Sequence, residues 1–129
     1  MTGPVWSEIA AVASGGALGC LGRYTLEHLP LSGGRPWATT LTNLIGCALI
    51  GIVSALLARY ASSSSLWPHL LVTGLLGGFT TFSAFALHPV TLMRQGLWGD
   101  AMLYVGVSVV GGLALCAAAL IATERLLSH

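Results

Sequence analysis

The sequence predicts an all-α membrane protein with four transmembrane helices, the third of which is broken near its middle. The chain of 129 residues is 55% hydrophobic and only 7% charged, which is far from the composition of a soluble domain. Uncharged apolar runs long enough to cross a bilayer recur along it. Inside the third run, the stretch Gly74–Phe85 gathers glycines, threonines and phenylalanines where an unbroken helix would be expected.

Charge and cysteine usage narrow the class of protein further. Lysine is absent, and the net charge of +1 argues against nucleic acid as a partner. Cys20, Cys47 and Cys116 lie in apolar runs without metal-ligand spacing, so we expect small buried residues rather than a redox site. Glu8 stands where a signal peptide would be basic, so no cleaved signal is expected. We therefore expect one four-helix transmembrane domain over residues 1–129.

The first predicted span covers about residues 5–28. Glu8 and Arg23 flank its uncharged centre and can reach the membrane interfaces. Gly15 and Gly19 are four residues apart, a spacing that lets helix backbones approach closely. Pro30 and the Ser32–Gly34 stretch predict the first loop.

The second predicted span covers about residues 36–59 and contains one unusual polar residue, Asn43. A carboxamide in hydrocarbon is costly unless its donors and acceptor are paired. Asn43 therefore either joins two helices by hydrogen bonds or forms part of a ligand site for a small ion. Small residues repeat every fourth position in the same helix, at Ala38, Thr42 and Gly46.

The third predicted span follows the serines of 62–65 and covers about residues 66–94, which is too long for one straight crossing. We place the residues in excess of one crossing at a break in the helix around Gly77 and Gly78. Non-helical backbone at membrane depth must be buried in protein or line a wet cavity, and freed carbonyls there commonly coordinate sodium. The three phenylalanines are expected to share one face, as plain packing or as ring edges that stabilise a small anion. They are Phe79, Phe82 and Phe85.

The fourth predicted span covers about residues 100–124. Polar and small residues recur at every fourth position and share one helical face. Their hydroxyls either bond back to their own helix or form a hydrogen-bonding track. The residues concerned are Tyr104, Ser108, Gly112 and Cys116. An even number of spans predicts both termini on the same side.

The arginines give no orientation bias. Arg59 and Arg125 fall on one predicted side, and Arg35 and Arg94 on the other, with Arg23 at the edge of the first span. We infer that the chain inserts in both orientations and pairs as an antiparallel, dual-topology homodimer, which would also supply a shared interior for the polar residues.

Two other functions fit a small membrane protein of this length. A proton-coupled exporter needs a carboxylate in the middle of a span, whereas Glu8 lies near the helix end and no acid lies mid-span. A structural subunit would use the small-residue stripes, but it would not need the Thr80-Thr81 interruption.

Three motifs resemble one family, the Fluc (CrcB) fluoride channels. The third motif is the most specific, and the resemblance covers essentially the whole chain. The motifs are Gly15–Gly19 followed by Arg23-Tyr24, Thr39–Gly46, and Gly74–Phe85.

The resemblance implies a channel, not an enzyme, that passively exports fluoride across the bacterial cell (inner) membrane as a multi-pass protein. It implies an antiparallel homodimer in the lipid bilayer with two fluoride pores. It also implies a structural sodium ion at the dimer centre, held by the backbone carbonyls of Gly77 and Thr80.

The resemblance also assigns pore residues by position. The vestibule arginine corresponds to Arg23. The expected pore residues are Asn43, Phe82, Ser83, Phe85, Tyr104 and Ser108.

The chain departs from the family pattern at three positions. Gly112 carries no donor where a hydroxyl is common, and Ala84 replaces an expected Ser or Thr. His88 stands where an acidic residue is expected, and its protonation is predicted to make conduction sensitive to pH.

Overall fold

The computed structural model describes residues 5–29, 36–62 and 65–128, and these residues are helical with short connections. The elements are α1 Trp6–His28, α2 Trp37–Tyr60, a π-helix Pro68–Leu76, α3 Gly77–Phe79, α4 Phe82–Arg94 and α5 Trp98–Leu127. No strand occurs in the described ranges, so the all-helical prediction is confirmed. Most of the predicted first loop, including Pro30 and Ser32–Gly34, lies outside the described residues, as do Ser63 and Ser64.

Within the described ranges, three helical stretches are long and apolar enough to cross a membrane, judged by length and composition. They are Trp37–Tyr60, Pro68–Arg94 and Trp98–Leu127. The predicted first span, α1, does not meet the same standard among the described residues, since charged residues such as Glu8 and Arg23 and several glycines lower its mean hydropathy. A fourth crossing therefore stays a prediction.

The helix ends lie within a few residues of the predicted bounds. Pro36 directly precedes α2, in keeping with the preference of proline for helix starts. Gly96 ends α4 with a φ of 78°, and the Leu97 N–H donates to the Leu92 carbonyl at 2.9 Å, as in a Schellman turn. The longest helix, α5, exceeds the predicted 100–124 at both ends.

The first half of the fold is a close pair formed by α1 with the π-helix and α3. A Cβ on Gly15 would strike the backbone of Leu70, and one on Gly19 would strike that of Leu75. Later residues of α1 contact later residues of the π-helix, so the two segments run parallel. The prediction of close backbone packing at Gly15 and Gly19 is confirmed.

The second half is a parallel pair formed by α2 and α5. The Thr40 hydroxyl lies 3.2 Å from that of Ser108, and further along, a Cβ on Gly51 would lie 2.9 Å from the Leu120 nitrogen. The predicted small-residue stripe of α2 is buried, at Ala38, Thr42 and Gly46.

The chain leaves an extensive apolar surface uncovered. Phe82 is 79% exposed, Leu113 69% and Leu126 78%, values that in a soluble domain would mark an interaction surface. Such a surface suits lipid or another protein chain, in agreement with a multi-pass membrane protein.

Candidate functional site

The segment that joins α3 to α4 is extended. Thr80 has φ −86° and ψ 159°, and Thr81 has φ −147° and ψ 117°. The Thr80 hydroxyl donates back to the Leu76 carbonyl at 3.0 Å. The Thr81 side chain accepts from the Ala84 N–H at 3.3 Å and so caps the start of α4. Two residues thus separate the end of one helix from the start of the next.

Asn43 is paired with the backbone of this extended segment. The Thr81 N–H donates to Asn43 Oδ1 at 2.8 Å, and Asn43 Nδ2 donates to the Thr81 carbonyl at 3.0 Å. The interhelical hydrogen bond that the sequence suggested is therefore present. The carboxamide also has a second N–H, which makes no hydrogen bond to the described part of the chain. The side chain borders a groove.

Four backbone carbonyls, those of Gly77, Gly78, Phe79 and Thr80, lose the donors that a continuous helix would give them, because the N–H groups of residues 81–84 lie at the break or in the first turn of α4. In an α-helix the Thr81 N–H would reach Gly77 and the Ala84 N–H would reach Thr80. The first donates to Asn43 instead, and the second to the Thr81 hydroxyl. Of the two carbonyls between them in sequence, that of Gly78 accepts from Arg23 Nε at 3.4 Å.

A groove of about 370 Å³ opens beside the extended segment, between α2, the π-helix, α4 and α5. It is mostly apolar with a few polar groups, the composition typical of a ligand site. Its predicted pore residues are Asn43, Phe82, Phe85 and Ser108, and its predicted cation residues are Gly77 and Thr80. The structure therefore brings six of the nine sequence-predicted site residues to one groove.

The other three predicted site residues lie outside the groove lining. Ser83 is exposed, with its hydroxyl 3.2 Å from that of Thr81. Arg23 approaches the segment from α1 through its bond to Gly78. Tyr104 is 0% exposed, and its hydroxyl has no hydrogen-bond partner among the described residues.

Aromatic rings connect the groove to the buried tyrosine. The Phe82 and Phe85 ring centroids are 5.4 Å apart, and Phe85 stacks on Tyr104 at 5.8 Å. The expectation that Phe79 shares their face is wrong, because the extended segment lies between α3 and α4. Phe79 instead lies near Gly22, with a ring carbon 3.5 Å from the place of a Cβ there.

A polar cluster links three helices on the far side of Tyr104. The Thr39 hydroxyl lies 3.2 Å from Nε2 of His88 and donates to a Glu27 carboxylate oxygen at 3.4 Å. His88 meets Tyr104 edge to face at 5.8 Å. Sequence reasoning singled out His88 but assigned no role to Thr39 or Glu27. Thr39 and Glu27 form a hydrogen bond with each other. The two adjacent threonines, Thr39 and Thr40, were the feature of the sequence that could have indicated this cluster.

The predicted polar face of α5 is interrupted at Gly112, where a side chain of α2 fills the space. Cys47 Sγ lies 3.1 Å from the place of a Cβ on Gly112. Cys47 also lines the groove. Cys47 and Cys116 are partly buried free thiols, whereas Cys20 is exposed, against the prediction of burial.

Comparison with known proteins gives a single family. A family model described as "CrcB-like protein, Camphor Resistance (CrcB)" matches residues 10–120. A protein of Methylobacillus flagellatus named "Fluoride-specific ion channel FluC" is 43% identical over 112 residues, which cover 84% of this chain and 88% of that protein.

Two further relatives cover the chain to a similar or greater extent. A "Fluoride-specific ion channel FluC" of Agrobacterium fabrum is 42% identical over 110 residues, covering 83% of this chain and 88% of the relative. A "Fluoride-specific ion channel FluC 2" of Thermobifida fusca is 40% identical over 128 residues, covering 96% and 93%. These names describe ion channels and not enzymes.

Proposed function

The chain belongs to the CrcB family, and on that premise we propose that it is a fluoride-selective channel that lets fluoride leave the cytoplasm passively. The observation that carries this proposal is the groove beside Thr80 and Thr81. One amide, one hydroxyl and two phenylalanine rings converge there within largely apolar walls, at Asn43, Ser108, Phe82 and Phe85.

The physical task is to replace the water around a small, strongly hydrated anion. A selectivity site does so with fixed donors that bind well enough to admit the ion and weakly enough to release it. The second Asn43 N–H and the Ser108 hydroxyl are suitable donors. The edges of Phe82 and Phe85 carry partial positive charge and exclude water. Narrow apolar walls would disfavour the larger chloride ion. No covalent step is required.

The proposed assembly is an antiparallel, dual-topology homodimer in the bacterial inner membrane, with α1 as the fourth span. Support comes from the balanced arginines and from the exposure of groove residues such as Phe82. A second copy over the groove would enclose a path that one chain leaves open. The extended Thr80-Thr81 segment would then be the break of the third span, buried in protein as irregular backbone must be.

We also propose a structural sodium ion at the dimer centre. The donor set fits, because the Gly77 and Thr80 carbonyls have lost their helical donors and both residues line the groove. Two carbonyls from each copy would give the ion oxygen ligands across a two-fold axis, as broken helices do elsewhere. When bound, the ion neutralises carbonyl dipoles and links the two copies.

The deciding experiment is efflux from proteoliposomes loaded with fluoride, with chloride-loaded vesicles as the control. Purified dimer should release fluoride and retain chloride. Absence of fluoride efflux from well-folded dimer would overturn the channel assignment, and proton-driven efflux of a cationic dye would favour an exporter. Labelling of a cysteine placed at one terminus should occur from both sides of the membrane, and labelling from one side only would contradict dual topology.

A further inference from the structure

We propose that Asn43 is a positioning residue for the cation site, in addition to its place in the groove. Its side chain takes the one backbone N–H that would otherwise close the helix onto the Gly77 carbonyl. This inference rests on the proposed function, because the cation site is part of that proposal.

The argument begins with the Thr81 N–H, which can make one strong hydrogen bond. A continuous helix would give it to the Gly77 carbonyl. In the structure it donates to Asn43 Oδ1 at 2.8 Å, a short distance for an N–H···O bond. Asn43 thereby replaces a helical acceptor, and the Gly77 oxygen keeps its lone pairs for another ligand.

The same side chain also determines which carbonyls remain for a cation. Asn43 Nδ2 occupies the Thr81 carbonyl at 3.0 Å, and Arg23 Nε occupies that of Gly78 at 3.4 Å. Of the carbonyls that lose a helical donor here, those of Gly77 and Thr80 belong to residues that line the groove and accept from neither side chain. Arg23 of α1 and Asn43 of α2 thus sort the carbonyls, because they occupy those of Gly78 and Thr81 and leave those of Gly77 and Thr80, beside the groove, for a cation.

Arg23 contributes in a weaker way. Its bond to Gly78 is long at 3.4 Å, near the limit of a hydrogen bond. Its positive charge also repels a nearby cation, which opposes the benefit of this bond. Loss of Arg23 should therefore disturb the sorting less than loss of Asn43.

The test measures sodium binding separately from fluoride transport. The thermal midpoint of detergent-purified protein is followed as sodium replaces N-methylglucamine at constant ionic strength, since a ligand that binds the folded state raises the midpoint. Fluoride efflux is recorded on the same samples. The variants are Asn43→Leu, which lacks both bonds, and Asn43→Asp, which keeps an acceptor for Thr81. Thr42→Val is the matched control, because the buried Thr42 hydroxyl bonds only to Ala38 in the hydrogen bonds of the described residues.

We expect a sodium-dependent midpoint in the natural protein and in Thr42→Val, with Asn43→Leu needing at least about tenfold more sodium for the same rise in midpoint, which is about 1.4 kcal/mol. Asn43→Asp should bind sodium better than Asn43→Leu. If Asn43→Leu fails to fold, Asn43→Ser, which keeps a polar side chain but lacks the carboxamide, provides the test and should likewise lose sodium affinity.

Each contrary outcome has a separate meaning. Unchanged sodium affinity in Asn43→Leu, or in Asn43→Ser if the leucine variant does not fold, with fluoride efflux lost, would overturn the inference and leave Asn43 as a pore residue only. Fluoride efflux from the natural protein without any effect of sodium would overturn the inference and the cation site, while the channel assignment would stand. Absence of fluoride efflux from the natural protein, with sodium binding present, would instead overturn the proposed function.

Discussion

The Thr39 hydroxyl lies 3.2 Å from Nε2 of His88. Because the same hydroxyl donates to Glu27, this contact joins α1, α2 and α4 at a single point. Histidine is the side chain whose charge changes most readily near neutral pH. The groups near it include the Thr39 hydroxyl and the buried Tyr104 ring, with the Glu27 carboxylate on the other side of that hydroxyl. A change of charge on His88 would therefore alter a contact that joins three helices.

The first prediction concerns pH. Protonated His88 would place a positive charge beside the aromatic row and should attract fluoride, so efflux should rise as pH falls from about 7.5 to about 5.5. His88→Gln retains a hydrogen-bonding side chain without the charge and should show little change. Protein-free liposomes provide the correction for leakage of neutral HF. Identical pH profiles for the natural protein and both His88→Gln and His88→Ala would contradict a role for the imidazole.

The second prediction separates conduction from stability at the groove. Phe82 is 79% exposed in the single chain, so Phe82→Ile should leave the chain's own packing intact. Loss of the aromatic edge should still lower fluoride efflux by about tenfold or more, about 1.4 kcal/mol. Leu87→Ile is the matched control on the same helix, at 64% exposure and outside the groove lining. Equal efflux from both variants would remove Phe82 from the pore.

The third prediction tests the close helix pair. A Cβ on Gly78 would lie 3.1 Å from Gly16 Cα, and backbone cannot move aside cheaply. Gly78→Ala should therefore destabilise the protein by about 1–3 kcal/mol, the usual cost of overpacking. Gly106→Ala is the control, because nothing lies within 4 Å of its Cβ position, and helix propensity favours alanine there by up to about 1 kcal/mol. Chemical denaturation should show opposite shifts, and equal shifts would contradict this packing.

The sequence predicted the helices well, since apolar runs bounded by charge, proline and glycine leave few alternatives for the backbone. The four-residue spacing of Gly15 and Gly19 was also sufficient to predict their close packing. The partner of Asn43 could not be predicted, because the Thr81 backbone becomes available only after the chain turns away from helix. The predicted face for Phe79 was wrong for the same reason, since the extended segment separates it from Phe82 and Phe85. The π-helical bonding of Pro68–Leu76 leaves no pattern in residue type.

The fourth prediction concerns Cys47 and Gly112. A serine at Gly112 would add a hydroxyl to the polar face of α5, but its Cβ would lie 3.1 Å from Cys47 Sγ. Gly112→Ser alone should therefore destabilise the protein by about 1–3 kcal/mol. Adding Cys47→Ala should relieve most of that loss, since the sulfur that opposes the new atoms is removed. A double-mutant cycle measured by chemical denaturation gives the coupling between the two positions. Additive effects would mean that Cys47 does not occupy the space above Gly112, and the interruption of the polar face would then need another cause.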